Sequence, residues 1–255
     1  MKIHVVNPNT STAMTEAIGR AASAIAGPGV QVRTTCPSMG PASIESHYDE
    51  ALSVPGLLSE IASSEADGHV IACFGDPGLE AARELADGPV IGIAEAAMRT
   101  AALVGRGFSV VTTLDRTRGR AWDLAHRYGM AGFCRGVSAC DVPVLEVEAA
   151  VDAVVAACRA AVAADGSDVV VLGCAGMTSQ RAEIERRVGV PVVDGVQAAV
   201  LQVESLVRMG LRTSAAGEFA APPPKPYAGL LEAFGASPAR HGASYAAFGV
   251  AEPAD

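Results

Sequence analysis

The chain has 255 residues, half of them hydrophobic, with 28 acidic against 19 basic side chains and a formal net charge of −9. Its length and apolar content suffice for a sizeable core in one large or two small domains. The acidic balance without a basic stripe or tail argues against nucleic acid, and no apolar run reaches the roughly 18 residues of a membrane span. A strand-like Lys2-Ile3-His4-Val5-Val6 at the very start leaves no signal peptide, so a cytoplasmic protein with a small-molecule ligand is expected.

Short apolar runs alternate with helical patterns along almost the whole chain, as in a parallel sheet covered on both faces. Strands are predicted near residues 2–7, 30–35, 68–73, 89–93, 107–113, 133–138, 168–173 and 190–194, which split into four plus four. The expected fold is α/β, with two pseudo-symmetric domains, each a roughly four-stranded parallel sheet flanked by helices. Residues 1–95 form the first domain, joined by part of the segment 205–255, and residues 96–204 form the second.

The first strand runs into Asn7-Pro8-Asn9-Thr10-Ser11-Thr12, where side-chain amides, hydroxyls and free helix N–H groups can meet a polar ligand. Asn7, Asn9 and Thr10 either contact that ligand or cap the helix; Thr12 reads as a cap. The second strand is followed by the loop Pro37 to Ser46, a lid or ligand wall, in which Ser43 and Glu45 can alternatively form the start of the next helix. His47 reads as an exposed helix residue. The third strand ends at Cys73, in Val70-Ile71-Ala72-Cys73-Phe74-Gly75-Asp76-Pro77-Gly78, with Asp76 as a predicted N-cap and Pro77 at the first helical position.

In the second half, Thr112, Thr113 and Arg116 occupy the place that Asn7 to Thr10 occupy in the first, either as ligand donors or, for Arg116 and Arg118, as solvated helix charges. Trp122, in a helical pattern with Ala125 and His126, reads as packing. The seventh strand ends at Cys174, in Val170-Val171-Leu172-Gly173-Cys174-Ala175-Gly176-Met177, with Thr178 or Ser179 as caps. The remaining thiols, Cys36, Cys134, Cys140 and Cys158, show no CxxC spacing and read as core or loop residues, which leaves no metal site and no disulfide framework expected. Beyond Leu211 a proline-rich stretch, residues 220–227, is expected to cross the surface extended. A short helix follows near 227–234, and the last twenty residues read as loose.

Cys73 and Cys174 end equivalent strands. Pro89 follows Cys73 by 16 positions and Pro191 follows Cys174 by 17, each opening a strand and an Ala-rich helix. An internal duplication explains the recurrence; any α/β chain shows apolar strands at such intervals, but not a cysteine at the equivalent end of both copies. Two thiols facing one carbon that bears a weakly acidic hydrogen beside a carbonyl suffice to invert it: one removes the proton, the other returns one to the opposite face. No metal or organic cofactor is needed. Helix starts just after both cysteines are expected to favour partial thiolate at neutral pH. Glycines 75, 78, 173 and 176 either bring backbone N–H groups to a developing enolate oxygen or serve turn geometry.

Asn7-Pro8-Asn9-Thr10, Pro41 to Ser46, Ile71 to Gly78, Gly173 to Met177 and Pro191-Val192-Val193-Asp194-Gly195-Val196 resemble the motifs of hydantoin racemases, members of the aspartate/glutamate/hydantoin racemase superfamily, with allantoin racemases as close relatives. The resemblance covers residues 1 to about 230. It implies a cofactor-independent two-base mechanism, homo-oligomers and a site at the domain interface. Cys73 and Cys174 become the acid/base pair, with Asn9, Ser43 and the backbone near Gly75 and Gly176 as ring contacts; beside these, Thr10, Phe74, Thr112 and Ala175 are expected to touch the substrate. Aspartate and glutamate racemases usually carry Asn-Thr after their cysteines; here Phe74-Gly75 and Ala175-Gly176 follow, which favours a neutral planar ring over a zwitterion. Arylmalonate decarboxylases of the superfamily use one cysteine, whereas this chain has both. The expected activity is racemisation of 5-monosubstituted hydantoins at C5, with allantoin racemisation as the alternative. A non-catalytic binding or thiol redox protein is the reading from a different class.

Overall fold

A computed structural model of the chain describes residues 1–235. The expected loose segment of the last twenty residues lies outside them. Eight strands form: β1 (Lys2–Val6), β2 (Gln31–Thr35), β3 (Gly68–Ile71), β4 (Val90–Gly92), β5 (Phe108–Thr112), β6 (Cys134–Ala139), β7 (Val169–Leu172) and β8 (Val192–Val193). They make two all-parallel sheets, ordered β2-β1-β3-β4 and β6-β5-β7-β8. The two orders are the same order twice, as the repeated sequence frame requires. The central strands are buried on both faces, which explains why β1, β3, β5 and β7 read as near-continuous apolar runs.

The helices are α1 (Thr12–Ile25), α2 (His47–Ala62), α3 (Leu79–Leu85), α4 (Ile93–Val104), α5 (Arg118–Arg127), α6 (Val151–Asp165), α7 (Arg181–Val188) and α8 (Gly195–Arg208). Their starts correct three expected caps. Ser11, not Thr12, caps α1 by accepting from Met14 N at 3.3 Å. Ser46 caps α2 through Asp49 N at 3.1 Å, and Asp49 reaches back to Glu45 N at 3.1 Å, so neither Ser43 nor Glu45 is the cap. Residues 175–180 form a 3-10 helix opened by Cys174, and α7 starts at Arg181 without a side-chain cap, so Thr178 and Ser179 cap no helix.

The last helix of each half crosses to the other half. Helix α4 follows β4 but packs on β5, β7 and β8, while α8 follows β8 and packs on β1, β3 and β4. The two also pack on each other, and Gln202 of α8 donates to Ala96 O (3.1 Å) and Thr100 Oγ1 (3.0 Å) of α4. The chain after α8 returns to the first sheet, where Thr213 Oγ1 donates to Gly88 O at 3.0 Å. Near its end, residues 229–235 form a 3-10 helix with Leu230 fully exposed.

Candidate active site

The C-terminal ends of the strands in both sheets open into one cavity of about 190 Å³. This is where ligands of open parallel sheets bind, because the strand ends and following helix starts leave backbone groups unused there. From the first half, Asn7, Asn9, Ile44, Glu45, Glu50 and residues 72–75 line it; from the second, Thr112, Thr113, Arg116, Arg120, Val144 and residues 173–175. Cys73 and Cys174 both stand on this wall, each two residues beyond its strand.

All six cysteines are free. Cys174 is buried and Cys73 half-buried, and each thiol is held by the N–H group two residues on: Gly75 N for Cys73, and Gly176 N at 3.4 Å from Cys174 Sγ. Burial pushes both thiols up to about 12, and the single N–H group lowers each only in part. The expected partial thiolate at neutral pH is therefore not what this cavity provides. The reason is geometric. No α-helix begins beside either sulfur: α3 starts at Leu79, after Gly78 in the left-handed region (φ 62°), and Cys174 opens only a short 3-10 segment.

Asp76 does not cap the helix that follows it. With its own φ at 44°, it turns inward, and its carboxylate accepts from Ala94 N (3.0 Å), Glu95 N (2.9 Å) and Tyr128 Oη (2.7 Å). It thus closes the open end of α4, and burial holds it up to about 6. In the second half the capping carboxylate is Asp194, at the start of α8, which accepts from Gln197 N (2.9 Å) and Thr178 Oγ1 (2.7 Å). The position equivalent to Asp194 is Gly92, whose missing side chain is the space the Asp76 carboxylate fills.

Of the residues expected at the site, Asn9, Phe74, Gly75, Thr112 and Ala175 line the cavity beside the two cysteines, whereas Thr10, Ser43 and Gly176 do not. Thr10 ties its loop to the next by donating N–H to Pro41 O at 3.0 Å, and Gly176 supplies only the N–H to Cys174. Asn7 Nδ2 donates to Asn9 Oδ1 (2.7 Å) and Thr15 Oγ1 (2.9 Å), which fixes the first loop; Asn9 Nδ2 meets only the Met14 thioether at 3.3 Å, a weak acceptor. His47 is exposed at the start of α2 and stands at the rim.

Three polar wall residues join the halves: Glu45, which the sequence placed in the loop wall or at the helix start, and Glu50 and Arg120, to which it gave no role. Glu45 Oε1 accepts from Val144 N across the cavity at 2.8 Å. Arg120 of α5 donates to Glu50 of α2 and to Gly75 O at 2.7 Å. Arg120 lies one helical turn beyond Arg116, and that spacing was the one signal available to find it. Among the described residues no three His, Cys, Asp or Glu side chains are grouped as metal ligands, and no helix is long and apolar enough to cross a membrane.

Comparison with known proteins is consistent along nearly the whole chain. Residues 3–203 match the family model described as Asp/Glu/Hydantoin racemase. A hydantoin racemase from Pseudomonas sp. (strain NS671) is 44% identical, over 92% of this chain and 97% of its own length. One from Rhizobium meliloti is 45% identical, over 90% and 98%. Among solved structures, an allantoin racemase from Klebsiella pneumoniae superposes with a TM-score of 0.89 at 50% identity, over 91% of this chain and 98% of that one.

Proposed function

The chain belongs to the Asp/Glu/hydantoin racemase family, and from that premise we propose that it racemises 5-monosubstituted hydantoins at C5 with Cys73 and Cys174 as its two bases. The observation that carries this reading is that thiols from equivalent positions of two repeated sheets line one small cavity. One thiolate takes the C5 proton, and the electron pair of the C–H bond moves into the ring carbonyl to give an enolate. The opposite thiol then protonates C5 from the other face, so the two sulfurs end with their roles exchanged.

The matched ionisation of the two thiols supports such a reversible exchange, since both are pushed up to about 12. Each also disfavours a second charge beside it, so one proton lost between them leaves a thiolate facing a thiol. Asn9 Nδ2, with only a thioether to engage it, is suited to a ring carbonyl. Phe74, Ala72 and Ala175 give the apolar surface for a flat neutral ring. Assembly into homo-oligomers belongs to the same proposal.

The test is Cys73→Ser and Cys174→Ser, each assayed by polarimetry and by deuterium uptake at C5 in D2O. Each variant is expected to stay folded and lose racemisation by at least about 100-fold, the lower range for a general acid or base, while one enantiomer continues to exchange its proton without inversion. Near-normal turnover of both enantiomers by either variant would end the two-base assignment. Absence of any C5 labelling by the unaltered protein would favour a binding or redox role. The 50% identity to an allantoin racemase, together with Glu45, Thr113 and Arg116 on the wall, carries the second reading, in which the C5 substituent is polar. Enantiopure allantoin and alkyl- or aryl-substituted hydantoins assayed side by side separate the two.

A further inference from the structure

The repeated frame gives the two thiols equivalent backbone positions but different charged surroundings. Arg120 grips the turn after Cys73: its Nη2 donates to the Gly75 carbonyl at 2.7 Å and to Glu50 Oε1. The pair is largely withdrawn from water, with side chains 25% and 18% exposed. Gly75 lies between Glu50 and the sulfur: a Cβ there would stand 3.4 Å from Glu50 Oε2 and 3.8 Å from Cys73 Sγ. The charged and titratable groups bearing on Cys73 are Cys174, Glu50 and Asp76, and the Glu50 charge disfavours its thiolate. Burial raises Glu50 above the usual carboxylate range, and Arg120 is the strongest charge that opposes this and favours its ionised form. At the equivalent turn after Cys174, no side chain among the described residues donates to the Gly176 carbonyl; the titratable groups bearing on Cys174 are Cys140, Glu45 and Asp194.

We infer that the Arg120–Glu50 pair is a positioning device for Cys73 alone: Arg120 pins the Gly75 turn and offsets the Glu50 charge beside the sulfur, so that the two bases of one repeated frame are set by different neighbours. The inference rests on the racemase reading of the cavity, but its test needs no turnover. Alkylation by iodoacetamide at one mildly alkaline pH is followed separately at Cys73 and Cys174 by peptide mass spectrometry, with Cys174 as the internal control. In Arg120→Met, Cys73 is expected to react about tenfold more slowly, the effect of one pKa unit on the thiolate fraction, with Cys174 changed by less than about twofold. Arg120→Lys restores most of the loss.

Glu50→Gln is expected to act in the opposite direction, with Cys73 reacting faster and Cys174 again unchanged. This opposition is the discriminating result, because both substitutions break the same ion pair and a merely structural clamp would move Cys73 the same way in each. Equal changes at both thiols, or the same direction in both variants, overturns the inference. If Arg120→Met does not fold, Glu50→Gln decides alone, and an unchanged or slower Cys73 refutes it. A failure of the racemase reading is seen separately, as absence of C5 exchange by the unaltered protein.

Discussion

Ionising Cys73 or Cys174 places a charge on a sulfur hemmed in by protein atoms, and burial pushes both thiols up to about 12, so only a small thiolate fraction exists at neutral pH. Because a thiol with a raised pKa gains thiolate with every step up in pH, kcat/KM for racemisation is expected to climb close to tenfold per pH unit from about pH 6.5 to 8.5. A profile flat over that span would mean that a group other than these thiols is the working base. The two cysteines were legible in the sequence because each ends an apolar strand within a recurring frame. Their ionisation was not, since it depends on where the next helix starts and on how much water the folded walls exclude. Glu50 and Arg120 meet across 70 residues of chain, and no local pattern announces such a contact.

At the scale of elements, the two ways of closing a helix end make a test of the duplication. In the first half Asp76 closes α4 over an empty Gly92; in the second, Asp194 closes α8 and Thr178 stands near the place of Asp76, in a repeat one residue longer. Asp76→Thr is expected to cost roughly 2–4 kcal/mol, because the Tyr128 hydroxyl and two backbone N–H groups lose their acceptor. Gly92→Asp alone should cost more, since its side chain enters space the Asp76 carboxylate occupies. The double variant should recover at least half of the summed loss, as chemical denaturation would show; additive losses would mean the two caps are not interchangeable. A second pair belongs to the strands: His4 of β1 lies beside His69 of β3, ring centroids 5.7 Å apart, both buried and lowered to about 4 by desolvation. Their folded values lie below the ordinary 6.5, so the unfolded chain binds protons first and their contribution to stability is lost as pH falls from about 6.5 towards 4. Asp76, held up to about 6, acts in the opposite sense over part of that range. The histidine contribution is therefore read as a difference: His69→Phe should lose less Tm on acidification than the unaltered protein, and equal losses would refute it. The central strands β1, β3, β5 and β7 were legible as apolar runs and the more polar edge strands β2 and β6 from their alternation with helical patterns, whereas the caps of α1, α2 and α4 were not, because several turn-forming residues competed at each start and Asp76 serves a helix 17 residues away.

For the whole molecule, the strands fall four and four on either side of residue 96, and α4, most of which follows that point, covers the second sheet, but α8 (Gly195–Arg208), placed largely with the second half in sequence, covers the first. Helix α8 covers β1, β3 and β4 while α4 covers β5, β7 and β8, and each is a continuation of the opposite sheet. Where they start, Gly195 and Ile93 touch so closely that a Cβ on Gly195 would stand 2.5 Å from the Ile93 carbonyl oxygen. The sequence showed an Ala-rich helix after β4 and another after β8, but which sheet each would cover depends on the direction of the chain after these strands. A chain ended after Asp194 is thus expected to lose its cooperative unfolding transition, because the first sheet is stripped on one face, whereas one ended after Arg212 should keep it. Retention of a sharp transition without α8 would contradict the exchange. The exchange also bears on ancestry: two half-length copies of a single repeat, each lending its final helix to its twin, would fill the same contacts, so a swapped two-fold dimer is a natural forerunner of the fused chain.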